Sequence, residues 1–235
     1  MRPIPPVCLI AGILLGAASV ATAQSGRAVV ELFTSEGCSS CPPAEAYVGE
    51  LAQRSDVLAL TYHVDYWDDL GWHDRFGLHA AVQRQQDYAK TLRLPTVYTP
   101  QVVIDGRADF VGSDRRSIGN ALAARRPGVP VAITVSDGTV LVNLGAQANV
   151  TASDVVLVAY ERSAVSPIGR GENAGRTIRE FNIVREFRTL GRWDGQVRQY
   201  RAKVGSLPPD ATDVAVLVQS VGQAPIIGAD TLPLR

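Results

Sequence analysis

Val29-Val30-Glu31-Leu32-Phe33-Thr34-Ser35-Glu36-Gly37-Cys38-Ser39-Ser40-Cys41-Pro42-Pro43 is the stretch on which the reading of this chain turns. Its apolar start, Val29 to Phe33, predicts a buried strand. After Pro43, the residues Ala44, Val48, Leu51 and Ala52 fall at i, i+4, i+7 and i+8, the apolar stripe of a helix. Pro42 and Pro43 suit the first turn of that helix, where an N–H has no intrahelical partner and a fixed φ is an advantage. The two cysteines therefore lie on a strand-to-helix turn, where backbone geometry, helix dipole and thiol chemistry meet.

Working outward, Val57 to Tyr62 predicts a second buried strand, followed by His63-Val64-Asp65-Tyr66-Trp67-Asp68. A helix is expected from about Asp74 to Leu92, with Leu78, Ala81, Val82, Ala89 and Leu92 inward. Val97 to Val111, turning at Asp105-Gly106, reads as a β-hairpin. Ser113 or Asp114 can cap a third helix carrying Ile118, Ala121 and Leu122. This order, with a Cys-x-x-Cys after the first strand and a proline entering the hairpin, resembles the thioredoxin fold. Beyond Gly128 the texture becomes strand-rich: Val131, Ile133 and Val135 alternate, Asp137-Gly138 turns, and Val140, Val142 and Leu144 answer. Further strand candidates are Val155–Tyr160, Ile178–Phe187, Val197–Val204, Val214–Val218 and Ile226-Ile227. The expected fold class is an α/β thioredoxin-like domain, residues 24–127, followed by an all-β sandwich domain, residues 128–235.

The first 23 residues read as a leader. Met1-Arg2 is a short positive start, Val7 to Val20 is almost uninterruptedly apolar, and Ala21-Thr22-Ala23 offers a small-x-small cleavage pattern. That apolar run is shorter than the roughly 20 residues a bilayer span needs. A periplasmic or secreted protein is therefore expected, with Cys8 removed and only Cys38 and Cys41 kept. Lys plus Arg and Asp plus Glu number 23 each, so losing Arg2 leaves a net charge of −1. No basic block points to nucleic acid, and no second apolar run points to a membrane span.

A chain of 235 residues can build a hydrophobic core, so one close cysteine pair is not its scaffold. A structural disulfide across so short a loop contributes only ~2 kcal/mol on the chain-entropy model. A metal site needs more ligands than two thiolates, and His73 and His79 are spaced onto different helix faces. Redox chemistry fits best. Cys38, ahead of the helix, is the expected attacking thiolate, favoured by unpaired N–H groups and the helix dipole. Cys41, shielded in the first turn, is the expected resolving thiol. Glu36 brings a like charge that opposes a thiolate, and Ser39-Ser40 leaves the redox direction open. Proton handling for Cys41 is assigned to Asp65 or His63. In thioredoxin-like proteins a cis proline faces the cysteine pair and its neighbours bind the partner's backbone; Thr99 and Pro100 match that element better than Pro95, which no strand directly follows.

Arg170-Gly171-Glu172-Asn173-Ala174-Gly175-Arg176 lacks the Gly-Lys-Ser/Thr of a phosphate loop, so no nucleotide is expected, nor any other cofactor. It reads as a hairpin loop that reaches across to the cysteine pair. His63 to Asp68, Leu70-Gly71-Trp72, Tyr98-Thr99-Pro100-Gln101 and Gly171 to Arg176 together resemble family 1223 of the domains of unknown function. The resemblance covers nearly the whole mature chain and implies a thioredoxin-like fold and an exported location, with no established activity. The sequence-based expectation is an exported thiol–disulfide oxidoreductase whose partners are cysteine-containing exported proteins or a redox partner. The alternative is a thioredoxin-like binding protein that carries a metal or a protein partner without turnover.

Overall fold

Strand β1, Ala28–Thr34, is buried along its whole length and organises both faces of the fold. The computed structural model describes residues 26–125, 128–223 and 225–234. The expected leader lies outside the described residues, as does Pro127 at the expected boundary. After β1 come α1 (Pro42–Leu51), β2 (Val57–His63), α2 (His79–Leu92), β3 (Gln101–Ile104), β4 (Ala108–Val111) and α3 (Arg115–Ala124). The remaining elements are strands: β5 (Val131–Ser136), β6 (Thr139–Leu144), β7 (Ser153–Pro167), β8 (Thr177–Trp193), β9 (Arg198–Lys203), β10 (Asp213–Ser220) and β11 (Ile226–Pro233).

These strands form one mixed eight-stranded sheet, ordered β11-β10-β7-β8-β2-β1-β3-β4, and a three-stranded sheet, β5-β6-β9. The expected thioredoxin-like domain followed by a β-sandwich is corrected by this architecture, which among the described residues is mostly β with three α-helices. The reason lies at the edge of β2. With β1 on one side, β2 would present unpaired backbone groups on the other, and an edge of this kind recruits another strand. Strand β8 takes that place through the Thr61–Ile183 bridge. The Thr61 hydroxyl also donates to the Phe181 carbonyl at 2.7 Å, and Asn182 Nδ2 donates to the Ala59 carbonyl at 2.8 Å.

Alternation explains the layers. Ala28, Val30 and Leu32 face α1 and α3, packing with Ala44, Val48, Leu51, Ile118 and Leu122. Burying Val48 and Leu51 contributes about 1.5–3 kcal/mol each. Val29 and Phe33 face the other way, into a core that joins α2 residues Ala81, Val82 and Tyr88 to Val156, Val158, Ala215 and Leu217. The small sheet covers the far half of the large one through Ile133, Val140 and Val142 against Leu157, Trp193 and Val216. Gly49, in mid-helix, lets the Phe181 ring approach: a Cβ there would lie 2.4 Å from the ring. This close approach presses the start of β8 onto α1.

Helix α2 begins five residues later than the sequence predicts, because Asp74 spends its carboxylate on other work. Its Oδ1 accepts from Phe76 N at 2.9 Å and its Oδ2 from Glu36 N at 2.8 Å, which fixes a loop before Leu78. The expected inward set of α2 also omitted Arg84. Its guanidinium is buried and donates from Nε to Glu31 Oε1 at 2.8 Å and from Nη2 to Gln219 Oε1 and Tyr88 Oη, both at 3.1 Å. Tyr88 Oη in turn bonds Glu31 Oε2. Breaking a buried ion pair from one side leaves an uncompensated charge. Arg84→Leu should therefore lower the unfolding free energy by about 3–5 kcal/mol, and the double variant Glu31→Leu/Arg84→Leu should recover part of that loss, both read by urea titration.

Candidate functional site

The turn between β1 and α1 is built by backbone bonds before any side chain acts. Cys38 N donates to the Ser35 carbonyl at 3.0 Å, Cys41 N to the Cys38 carbonyl at 3.2 Å, and Ala44 N to the Cys41 carbonyl at 2.9 Å. Cys38 and Cys41 form a disulfide with Cα atoms 5.4 Å apart. Both have 0% exposure, so no thiol in solvent reaches them in this state. The unpaired N–H groups expected to favour a Cys38 thiolate are largely spent. Pro42 and Pro43 have none, Ala44 N is bonded as above, and Ser39 N donates to Glu172 Oε2 at 3.3 Å. What remains beside Cys38 Sγ is the Ser40 hydroxyl, 3.4 Å away, together with the helix dipole.

The cover comes from the tip of the β7–β8 hairpin. Ile168 N bonds the Arg176 carbonyl and Gly175 N the Ile168 carbonyl, at 2.9 and 2.8 Å, closing a loop in which Gly171 (φ 75°) and Gly175 (φ 82°) take left-handed conformations. The loop sets Asn173 over the disulfide turn, where its Nδ2 donates to the Glu36 and Cys38 carbonyls, each at 2.9 Å. Trp72 supports it: its Cβ would lie 3.1 Å from a Cβ on Gly171, and its Nε1 donates to Glu36 Oε2 at 2.6 Å. The Glu36 side chain is thus buried and directed to Trp72. Arg75 Nη2 ties the hairpin down through the Val165 carbonyl and Ser166 Oγ.

On the hairpin side of the sheet, the Thr99–Pro100 bond is cis and Pro100 is buried. Thr99 Oγ1 accepts from Trp67 Nε1 at 2.9 Å, and Trp67 Cβ would lie 3.2 Å from a Cβ on Gly37. Trp67 therefore links Thr99 to the disulfide turn. Of the two residues expected to handle protons, the structure separates one from the other. Asp65 is partly exposed and sits 3.4 Å from His79 Nδ1, away from the buried groups. His63 is fully buried, with Nδ1 2.7 Å from Asp74 Oδ2.

His63 belongs to a cluster the sequence reading did not assemble. Glu45, one turn after Cys41 on α1, and Glu180, on β8, are both buried. Thr34 Oγ1 donates to Glu45 Oε1 at 2.7 Å. Burial pushes the Glu45 carboxyl up to about 7, against the pull of the His63 charge and the Thr34 bond. Burial pushes Glu180 up to about 8, again against His63, with Glu45, Glu36 and Asp74 adding to the rise. For His63, burial opposes the charge, but the adjoining Asp74 carboxylate outweighs it and raises the ring to about 9. Burial opposes the Asp74 charge too, yet His63 and the N–H groups of Glu36 and Phe76 hold it below the usual carboxylate range. A signal for these residues was present. Glu180 and Asn182 continue the inward alternation from Ile178, and Glu45 adjoins the Ala44–Val48 stripe.

The family model described as "Protein of unknown function (DUF1223)" matches residues 29–219. The chain belongs to that family. A crystal structure of protein AGR_C_4864 from Agrobacterium tumefaciens is similar to this DUF1223 chain, with 31% identity, a TM-score of 0.80, and coverage of 90% of this chain and 96% of the other. HBP35 of Porphyromonas gingivalis shares the fold at 16% identity, with a TM-score of 0.61 over 89% of this chain and 76% of the other. No curated protein matches. Among the described residues, no helix is long and apolar enough to cross a membrane, and no three His, Cys, Asp or Glu side chains are arranged to hold a metal ion.

Two outcomes follow for the DUF1223 site. Removing the Asn173 clamp deletes two hydrogen bonds to charge-free carbonyls, each worth about 0.5–1.5 kcal/mol. Asn173→Ala should speed reduction of the Cys38–Cys41 disulfide by dithiothreitol about tenfold or more, followed by thiol alkylation and mass. The pH dependence of stability runs downward. Glu45 and Glu180 keep protons in the folded state that the unfolded chain loses above about 4.5, so stability falls as pH rises to about 7 and 8. The stabilisation from His63, present below 6.5, is lost as pH rises through about 9, while that from Asp74 is lost only on acidification. Glu180→Gln should flatten the decline between pH 5 and 8 by a few kcal/mol and leave stability at pH 5 nearly unchanged, measured by urea unfolding.

Proposed function

We propose that this protein is an exported thiol–disulfide oxidoreductase. The observation that carries the reading is the Cys38–Cys41 disulfide at the start of α1, backed by buried groups that can hold and release protons. A structural staple across this loop contributes only ~2 kcal/mol and has no use for two protonatable carboxyls behind it, whose burial itself costs stability. In the oxidising direction, a partner thiolate attacks Cys38 Sγ, the disulfide breaks, and its electron pair leaves on Cys41 Sγ. A second partner thiolate then attacks the mixed disulfide, releasing an oxidised partner and a dithiol enzyme. The same steps reversed reduce a partner disulfide. Ser40 steadies charge on Cys38, and Thr99, set by the cis bond to the buried Pro100, offers the partner's backbone a surface beside the turn.

The partners are cysteine-containing exported proteins or a dedicated redox protein. They must displace Asn173 before attack, because the disulfide is covered as it stands. Cys41→Ser removes the resolving thiol. Expressed in full length, this variant should accumulate mixed disulfides with exported proteins through Cys38, released by dithiothreitol and absent from Cys38→Ser/Cys41→Ser. Adducts no more abundant than in the double variant would overturn the reading.

A further inference from the structure

We propose that Glu45 is the proton donor and acceptor for Cys41, with Glu180 and His63 setting the charge around it behind the disulfide. This rests on the oxidoreductase reading above. Glu45 N donates to the Cys41 carbonyl at 3.1 Å, so the two residues are one helical turn apart and share a helix face. Helical side chains lean toward the preceding turn, and the Glu45 carboxyl is held by Thr34, the last residue of β1 before the disulfide turn. Both side chains are buried.

The pattern of hydrogen bonding points the same way. One Glu45 oxygen is held by Thr34, while Oε2 is buried without a partner. Also buried and unpartnered are His63 Nε2, both Glu180 oxygens, Glu36 Oε1 and Asn173 Oδ1. Native interiors rarely leave so many polar atoms open in one place, and those that do carry a functional demand. The Glu31–Arg84 network on the opposite face satisfies each of its charged groups. The groups facing Glu45 are Thr34 from β1, His63 from β2, Asp74 from the loop after it, Glu36 from the disulfide turn and Glu180 from β8. Full ionisation would gather four carboxylates around one imidazolium out of water, so the cluster keeps protons in reserve.

The step balances. When a partner thiolate bonds to Cys38 Sγ, Cys41 leaves as a buried thiolate and takes the proton from the Glu45 carboxyl, leaving a carboxylate beside the His63 charge. That carboxylate is held by the His63 charge and the Thr34 hydroxyl, with Glu180 beside it still protonated, until the disulfide re-forms. When the disulfide re-forms, the Glu45 carboxylate takes the Cys41 proton as Cys41 Sγ attacks Cys38 Sγ and the partner departs as a thiolate.

The test isolates resolution. Reduced full-length protein is converted to the Cys38–glutathione mixed disulfide, and release of glutathione by Cys41 is followed by stopped flow from pH 5 to 9. The wild type should level off above neutral pH. Glu45→Gln should be about 100-fold slower at pH 7, with a rate that climbs about tenfold per pH unit up to pH 9, as for a thiol without a base. Thr34→Val removes the hydrogen bond that lowers the Glu45 carboxyl and should move the wild-type profile to higher pH. The proposal is overturned if Glu45→Gln keeps the wild-type profile, or slows by one factor at every pH, the mark of a structural role. Should Glu45→Gln not fold, an unmoved profile in Thr34→Val overturns it. A wild type that never forms or resolves the mixed disulfide defeats the oxidoreductase reading instead.

Discussion

The free edge of β2 is the constraint from which the rest of the arrangement follows. A buried strand with one side paired to β1 cannot leave its other row of N–H and C=O groups unanswered. Because β8 answers it, the second half of the chain joins the first in one sheet. The same attachment brings three consecutive residues to the site: Glu180 enters the buried cluster, Phe181 packs on Gly49 of α1, and Asn182 bonds Ala59. The hairpin that leads into β8 then has only one place for its tip, above the disulfide turn. Sheet pairing, cover and electrostatics thus share a cause.

Two buried polar groups flank the sheet, and their difference is informative. Arg84, Glu31, Tyr88 and Gln219 bond one another on the α2 side, and the guanidinium stacks 5.2–5.7 Å from the rings of Tyr88, Tyr62 and Phe187. This network matches charge with charge and draws on both halves of the chain, as expected of a device that fixes packing. On the α1 side the balance is deliberately incomplete: acids outnumber the one imidazole, and several oxygens lack donors. A cluster of that kind costs stability at neutral pH. Its retention next to a disulfide is understandable when protons have to move there.

Much of the local structure was legible in the sequence. Periodicity located β1, α1, β2 and α3, and Asp105-Gly106 and Asp137-Gly138 marked turns whose residues take positive φ. The disulfide turn, the cis bond before Pro100 and the reach of the Gly171–Arg176 loop were also foreseen. The fold class was not, for a physical reason. Strands β7 and β8 run 15 and 17 residues, but bulges at Val155/Val156 and Ala159/Tyr160 shift the alternation, so each reads as a shorter strand of a separate sheet. Nothing local reveals which edge a strand will join. The start of α2 was misplaced because the Asp74 side chain bonds distant Glu36 and His63, contacts that periodicity does not record.

If the protein is the oxidoreductase proposed above, the cover and the buried carboxyls impose opposite demands on the same turn. Excluding water lowers the local dielectric, which strengthens the His63–Asp74 pair and keeps Glu45 and Glu180 protonated. Yet exchange requires a partner sulfur to approach Cys38 in line with the disulfide. Asn173 reconciles the two because its bonds go to backbone carbonyls of Glu36 and Cys38, not to sulfur. A partner backbone that offers N–H groups to both carbonyls can replace the amide bond for bond, so the turn stays satisfied while the sulfur is uncovered. The protonated side chains lie beneath the turn, out of the path of that replacement. On the proposed reading, access to the disulfide is governed from above by hydrogen-bond exchange, and its reactivity from below by buried carboxyls.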